Sequence, residues 1–149
     1  MPPLNHAVLS ASSAYRWLEC PPSALATADI PDETTIYAQE GSAAHEMAEY
    51  KIRWHLGEKD LAPPNIGNFN AEEIDRYTDS YAYYATDKIE TIRKICPDTI
   101  VMVEQRLDFS NYVKDGFGTG DLVIVADDVL QVIDFKYGKG CLLYTSPSP

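Results

Sequence analysis

The sequence predicts an α/β chain in which helices come first and an antiparallel three-stranded meander follows. Three observations predict it: helix-forming stretches with capping residues run up to Cys96, β-branched runs begin at Thr99, and Asp127-Asp128 forms a tight turn between the last two runs. No segment repeats, and one domain of ordinary size is expected from 149 residues with 45% hydrophobic content.

Ser10-Ala11-Ser12-Ser13 ahead of Ala14-Tyr15-Arg16-Trp17-Leu18-Glu19-Cys20 reads as a hydroxyl-capped short helix stopped by Pro21-Pro22, with Tyr15, Trp17 and Leu18 docked on the core. Residues 29–40 are acidic and are expected to be irregular. A helix rich in good formers then opens at Gly41 and ends at Gly57, and His45, Glu49 and Ile52 share one of its faces. After the Pro63-Pro64-Asn65-Ile66-Gly67 loop, Asn70 with Glu73 three residues on marks the capped start of a long helix that ends before Pro97. Tyr77, Tyr81 and Tyr84 recur along it at helical spacing. Such a stripe serves as a packing face more often than as a base-stacking platform.

The strands are expected at Ile100–Leu107, Gly120–Ala126 and Val129–Lys136. Cys141 to Pro149 depart from this plan, because a strand ending in Gly138-Lys139-Gly140 runs into a Ser/Pro tail instead of a covering helix. Residues 1–140 are therefore read as the N-terminal part of one domain, and 141–149 as a foreign tail on a naturally longer chain.

No run of about 18 apolar residues is present, and the N-terminus lacks the basic start and apolar stretch of a signal peptide, so a soluble, cytoplasmic protein without a membrane partner is expected. Cys20, Cys96 and Cys141 form no C-x-x-C pair and read as reduced thiols. A net charge of −11 argues against broad attraction to nucleic acid, which clustered Lys and Arg normally provide. It leaves room for carboxylates that gather divalent cations, since only the local field along a ligand's path matters.

Strand alternation places Asp134 and Lys136 on one face, with Phe135 on the other. Counting outward from the Asp127-Asp128 turn sets Asp121 opposite about Asp134, so two carboxylates and an ammonium are expected to converge. Hard divalent cations need such oxygens, and a neighbouring lysine suits phosphodiester hydrolysis by orienting water or stabilising developing charge. A D-x-K tripeptide alone is also the signature of a solvated ion pair at a strand end, and that alternative stays open on the tripeptide itself.

Gly41-x-x-x-His45, Gly120-Asp121 and Asp134-Phe135-Lys136, behind an N-terminal Arg16-Trp17-Leu18-x-Cys20-Pro21 segment, together resemble the RecB-like branch of the PD-(D/E)XK nucleases. More closely, the set resembles a phage and prophage family of that branch with a poorly defined role. The resemblance runs nearly to Gly140 and implies a restriction-endonuclease-like core, truncated before its last helix and strand. It implies a metal-dependent DNA nuclease, exonuclease-like, acting in replication, recombination or repair with DNA and phage recombination or replication proteins as partners.

By the same resemblance Asp121, Asp134 and Lys136 are catalytic. Asp121, Asp134, the backbone carbonyl of Phe135 and His45 hold Mg²⁺ or Mn²⁺, the imidazole favouring Mn²⁺. On its own residues, His45 reads more readily as a helix histidine satisfied by hydrogen bonds; with the motif it is expected to face the carboxylates, Ala44 and Ala48 leaving room for close approach to the sheet. Glu49 and Glu104 either join the site or face water. Cys20 sits where some relatives place an iron-sulfur ligand, but it reads as a buried structural thiol and no cluster is expected. A non-hydrolytic DNA-binding or scaffold protein with the same fold is the alternative function.

Overall fold

The computed structural model describes residues 8–9, 13–26, 35–127 and 129–138. The tail at 141–149 and Cys141 lie outside them. Among the described residues the order is α1 (Ala14–Glu19), α2 (Pro22–Ala26), α3 (Ile36–His55), α4 (Ala71–Ile95), β1 (Ile100–Asp108), β2 (Phe117–Ala126) and β3 (Val129–Ile133). Helices precede an antiparallel sheet of order β1-β2-β3, as the sequence predicts. The chain divides into two compact units: Met1–Glu33 with Ile100–Ile133, and Thr34–Thr99 with Asp134–Pro149.

In the first unit, β2 is the central strand, and its Leu122, Val123 and Ile124 are buried on both faces of the sheet. The β2–β3 register closes at Ala126↔Val129, leaving a two-residue hairpin in which Asp127 takes φ +48, a left-handed conformation that Asp tolerates in such turns. Short helix α1 buries none of its residues, and Tyr15 and Leu18 are exposed where docking on the core was expected. Ser13 holds the N-cap position without a capping hydrogen bond from its side chain. Pro21-Pro22 does not end helical structure altogether: the chain breaks at Cys20 and restarts with Pro22 as the first residue of α2, where its missing N–H costs nothing. Cys20 is exposed, not buried.

In the second unit, α3 starts at Ile36, five residues ahead of the expected Gly41, because the Thr35 hydroxyl accepts from the Ala38 N–H at 3.1 Å and caps the helix there. Gly57, at φ +110, ends it as expected. Helix α4 matches the sequence reading: Asn70 Oδ1 accepts from the Glu73 N–H at 3.2 Å, and Ile74, Thr78, Ala82, Ala85 and Ile89 form its buried stripe. The small side chains of Ala44 and Ala48 on α3 pack with Met47, Ile74 of α4 and Phe135. Lys51 ties the two helices together, its ammonium donating to Thr78 Oγ1 at 2.8 Å and to Asp75 and Asp79 at 3.0 and 2.6 Å.

Three strand boundaries differ from expectation, β1 by a single residue at Asp108. Strand β2 starts at Phe117, three residues early, since β1 stays paired with it down to Asp108↔Phe117. Strand β3 stops at Ile133, so Asp134-Phe135-Lys136 lies beyond the strand rather than ending it. Phe135 leaves the ladder to bury its ring in the core of the helical unit, where it is 5% exposed. Burying such a ring is worth about 1.5 to 3 kcal/mol, more than the roughly 0.5 to 1.5 kcal/mol net of one ladder hydrogen bond.

Candidate metal centre

Each compact unit carries its own part of the expected site. In the sheet unit, Val103 pairs with Leu122 and Gln105 with Gly120, so Glu104 on β1 stands across from Asp121 on β2. Directly opposed residues of an antiparallel pair project to the same face. One carboxylate oxygen from each lies within 4.8 Å of the other, and both side chains are half-buried. Bringing two like charges this close in a partly desolvated setting costs free energy unless a cation offsets it.

Glu104 also has φ +50, the left-handed region that non-glycine residues seldom occupy and that costs about 1 to 3 kcal/mol. Strain of this kind is kept where the surroundings fix a side chain in a required direction. Here the strained residue is one of the two acids.

In the helical unit, Asp134 and Lys136 are on one side and Phe135 on the other, the alternation expected even though the strand has ended. The Lys136 ammonium sits 2.7 Å from Asp134 Oδ2, with the lysine side chain 84% exposed and the aspartate 49%. The Phe135 ring anchors this exposed pair. It is stacked on Tyr81 at 4.7 Å and meets the ring of His45 edge-on at 5.3 Å. His45 thus projects from the half-buried side of α3 against the residue between the two charged ones. Next along the chain, the Tyr137 hydroxyl donates to Glu40 Oε1 at 3.3 Å. Burial, then the nearby Glu40 and Glu73 carboxylates, push that hydroxyl up to about 12.

Within the sheet unit Asp121 stands with Glu104; within the helical unit Lys136 pairs with Asp134, and the His45 ring meets Phe135. Glu104, left open between site and solvent by the sequence, belongs with Asp121. The signal was present, since continuing the antiparallel count from β2 into β1 reaches position 104. Glu49 is held by Arg53 one helical turn on, Nε to Oε1 at 2.7 Å, and is engaged in helix stabilisation. The tyrosine stripe splits: Tyr81 packs, while Tyr77 and Tyr84 are 47% and 53% exposed.

The donor set fits a hard divalent cation. Carboxylate oxygens suit Mg²⁺ and Mn²⁺, and an added imidazole raises the preference for Mn²⁺. A family model described as "Protein of unknown function (DUF2800)" matches residues 6–149, so the chain belongs to the DUF2800 family. No solved structure matches the chain. No helix among the described residues is long and apolar enough to cross a membrane.

Proposed function

We propose that this chain carries the metal-binding and catalytic residues of a DNA nuclease of the PD-(D/E)XK type, which hydrolyses phosphodiesters with Mg²⁺ or Mn²⁺. The observation that carries the reading is the Glu104–Asp121 carboxylate pair, with oxygens within 4.8 Å and one partner on strained backbone. Helices followed by an antiparallel meander are compatible with the restriction-endonuclease-like core that the motif resemblance implies.

In this reading Asp121 and Glu104 hold the cation. The motif resemblance assigns Asp134, the Phe135 carbonyl and His45 as metal ligands too. The cation, when bound, supplies Lewis acidity and lowers the pKa of a ligated water. Lys136 contributes the ammonium that orients the attacking water or stabilises charge on the phosphate, and the buried Phe135 ring fixes where that ammonium projects. The substrate is DNA, and a role in phage replication, recombination or repair, in company with phage proteins, follows from the same resemblance.

The test is cleavage of single- and double-stranded DNA by the purified protein. Metal-dependent degradation is expected, and Asp121→Asn, Asp134→Ala and Lys136→Ala should each lower the rate by roughly 100- to 1,000-fold. Firm DNA binding without metal-dependent cleavage of any substrate would favour a binding or scaffold protein. Equal cleavage by wild type and variants would point to a contaminating nuclease.

A further inference from the structure

A groove of about 720 Å³ in the helical unit is lined by Tyr37, Glu40, Glu73, Tyr77, Lys136 and Tyr137. Tyr37 comes from the first turn of α3 and is 80% exposed; Tyr77 comes from α4 and is 47% exposed. Tyr77 meets Tyr137 edge-on at 5.8 Å, so the two rings form one wall. Glu40 and Glu73 are half-buried among these rings. Lys136, the one cation among the described residues of the lining, is already paired with Asp134. The groove is therefore aromatic and net acidic.

We propose that this groove receives an arginine-bearing segment of a partner protein. Aromatic faces attract cations, and the flat guanidinium both stacks on tyrosine and bonds carboxylates through two parallel N–H groups. The chain itself shows the first of these contacts: the Arg76 guanidinium carbon lies 4.9 Å from the centre of the Tyr77 ring. Between Glu40 and Glu73 a nucleic acid strand has the wrong charge, because its phosphates would face two carboxylates; this concerns that stretch of the groove and not Lys136. The volume exceeds what a single guanidinium needs and leaves room for the peptide backbone that carries it. A net charge of −11 over the whole chain draws a basic segment towards it. The assignment does not rest on the nuclease reading, since it concerns binding without metal or DNA.

The experiment is fluorescence anisotropy of a labelled Gly-Arg repeat peptide titrated with the 149-residue chain in EDTA. Glu40→Gln combined with Glu73→Gln should weaken binding by at least roughly 10-fold, and Tyr37→Ala or Tyr77→Ala by roughly 3- to 30-fold. Tyr77→Phe should keep most of the affinity. All these side chains are at least partly exposed, so the variants are expected to fold, which circular dichroism checks. Asp98→Asn removes one exposed charge elsewhere in the same unit and should change affinity less than twofold. The proposal is overturned if Asp98→Asn and the glutamate variants weaken binding alike, which would mean bulk charge attraction only. It is equally overturned if spermidine alone binds with the same dependence on Glu40, Glu73 and Tyr77, or if a single-stranded oligonucleotide displaces the peptide and itself depends on Tyr37 and Tyr77.

Discussion

Asp121 and Asp134 were expected to do the same work, yet the protein holds them in opposite ways. Asp121 is half-buried in the central strand with a second acid, Glu104, within 4.8 Å. Asp134 is half-exposed beyond the end of β3, with an ammonium from its own tripeptide 2.7 Å away. The first arrangement brings two carboxylates together, whereas in the second a carboxylate is paired with an ammonium. An acid whose neighbour is another acid is the better primary metal ligand.

The largest effects that separate the two regions are on turnover. Asp121→Asn and Lys136→Ala should each slow metal-dependent DNA cleavage by roughly 100- to 1,000-fold, for different reasons. Raising Mn²⁺ should partly rescue Asp121→Asn, because the lost ligand weakens occupancy. It should not rescue Lys136→Ala, whose metal site is intact. Steady-state rates against Mn²⁺ concentration check this, and identical rescue of both would erase the distinction.

Stability divides neighbouring residues of one tripeptide next. Phe135→Ala empties a buried site beside Ala44, Met47 and Ile74 and should cost about 3 to 5 kcal/mol in urea unfolding. Lys136→Ala removes an exposed ion pair worth about 1 kcal/mol or less. A similar cost for the two would mean that Phe135 does not anchor the segment.

Thr35→Ala deletes the cap that starts α3 ahead of Gly41 and should cost about 1 kcal/mol, read as a lower thermal midpoint. The smallest effect has the opposite sign. Glu104→Gly relieves a left-handed backbone and removes a like charge beside Asp121, so it should stabilise the chain by about 0.5 to 1 kcal/mol while weakening Mn²⁺ binding. If it destabilises instead, the φ +50 geometry is not strained and the argument from strain is lost.

Much of the fold was legible because it is written in local signals. Asn70 and Glu73 mark the start of α4, Gly57 the end of α3, and the Asp127 turn sets the register that pairs Leu122 with Ile133. What misled was competition between local and distant preferences. Gly41 looked like a helix start because glycine is a poor helix interior, but the Thr35 hydroxyl outweighs it. Strand β3 looked longer because Ile133-Asp134-Phe135-Lys136 alternates, but the ring of Phe135 gains more in a helical core than in the ladder. Tyr15 and Leu18 follow an amphipathic pattern, yet α1 spans only Ala14–Glu19 and buries none of its side chains. For the site, the Asp121 position and the shared side of Asp134 and Lys136 followed from strand periodicity. The φ of +50 at Glu104 leaves no trace in composition or spacing.

Mn²⁺ titration of the 149-residue chain, followed by loss of the free-ion electron paramagnetic resonance signal, tests the central claim most directly. A saturable site is expected that is lost or weakened at least roughly 10-fold in both Asp121→Asn and Glu104→Gln and is retained in Lys136→Ala. Mn²⁺ binding that is absent from the wild type, or that survives unchanged when Asp121 and Glu104 are both neutralised, would contradict a metal centre built on this carboxylate pair.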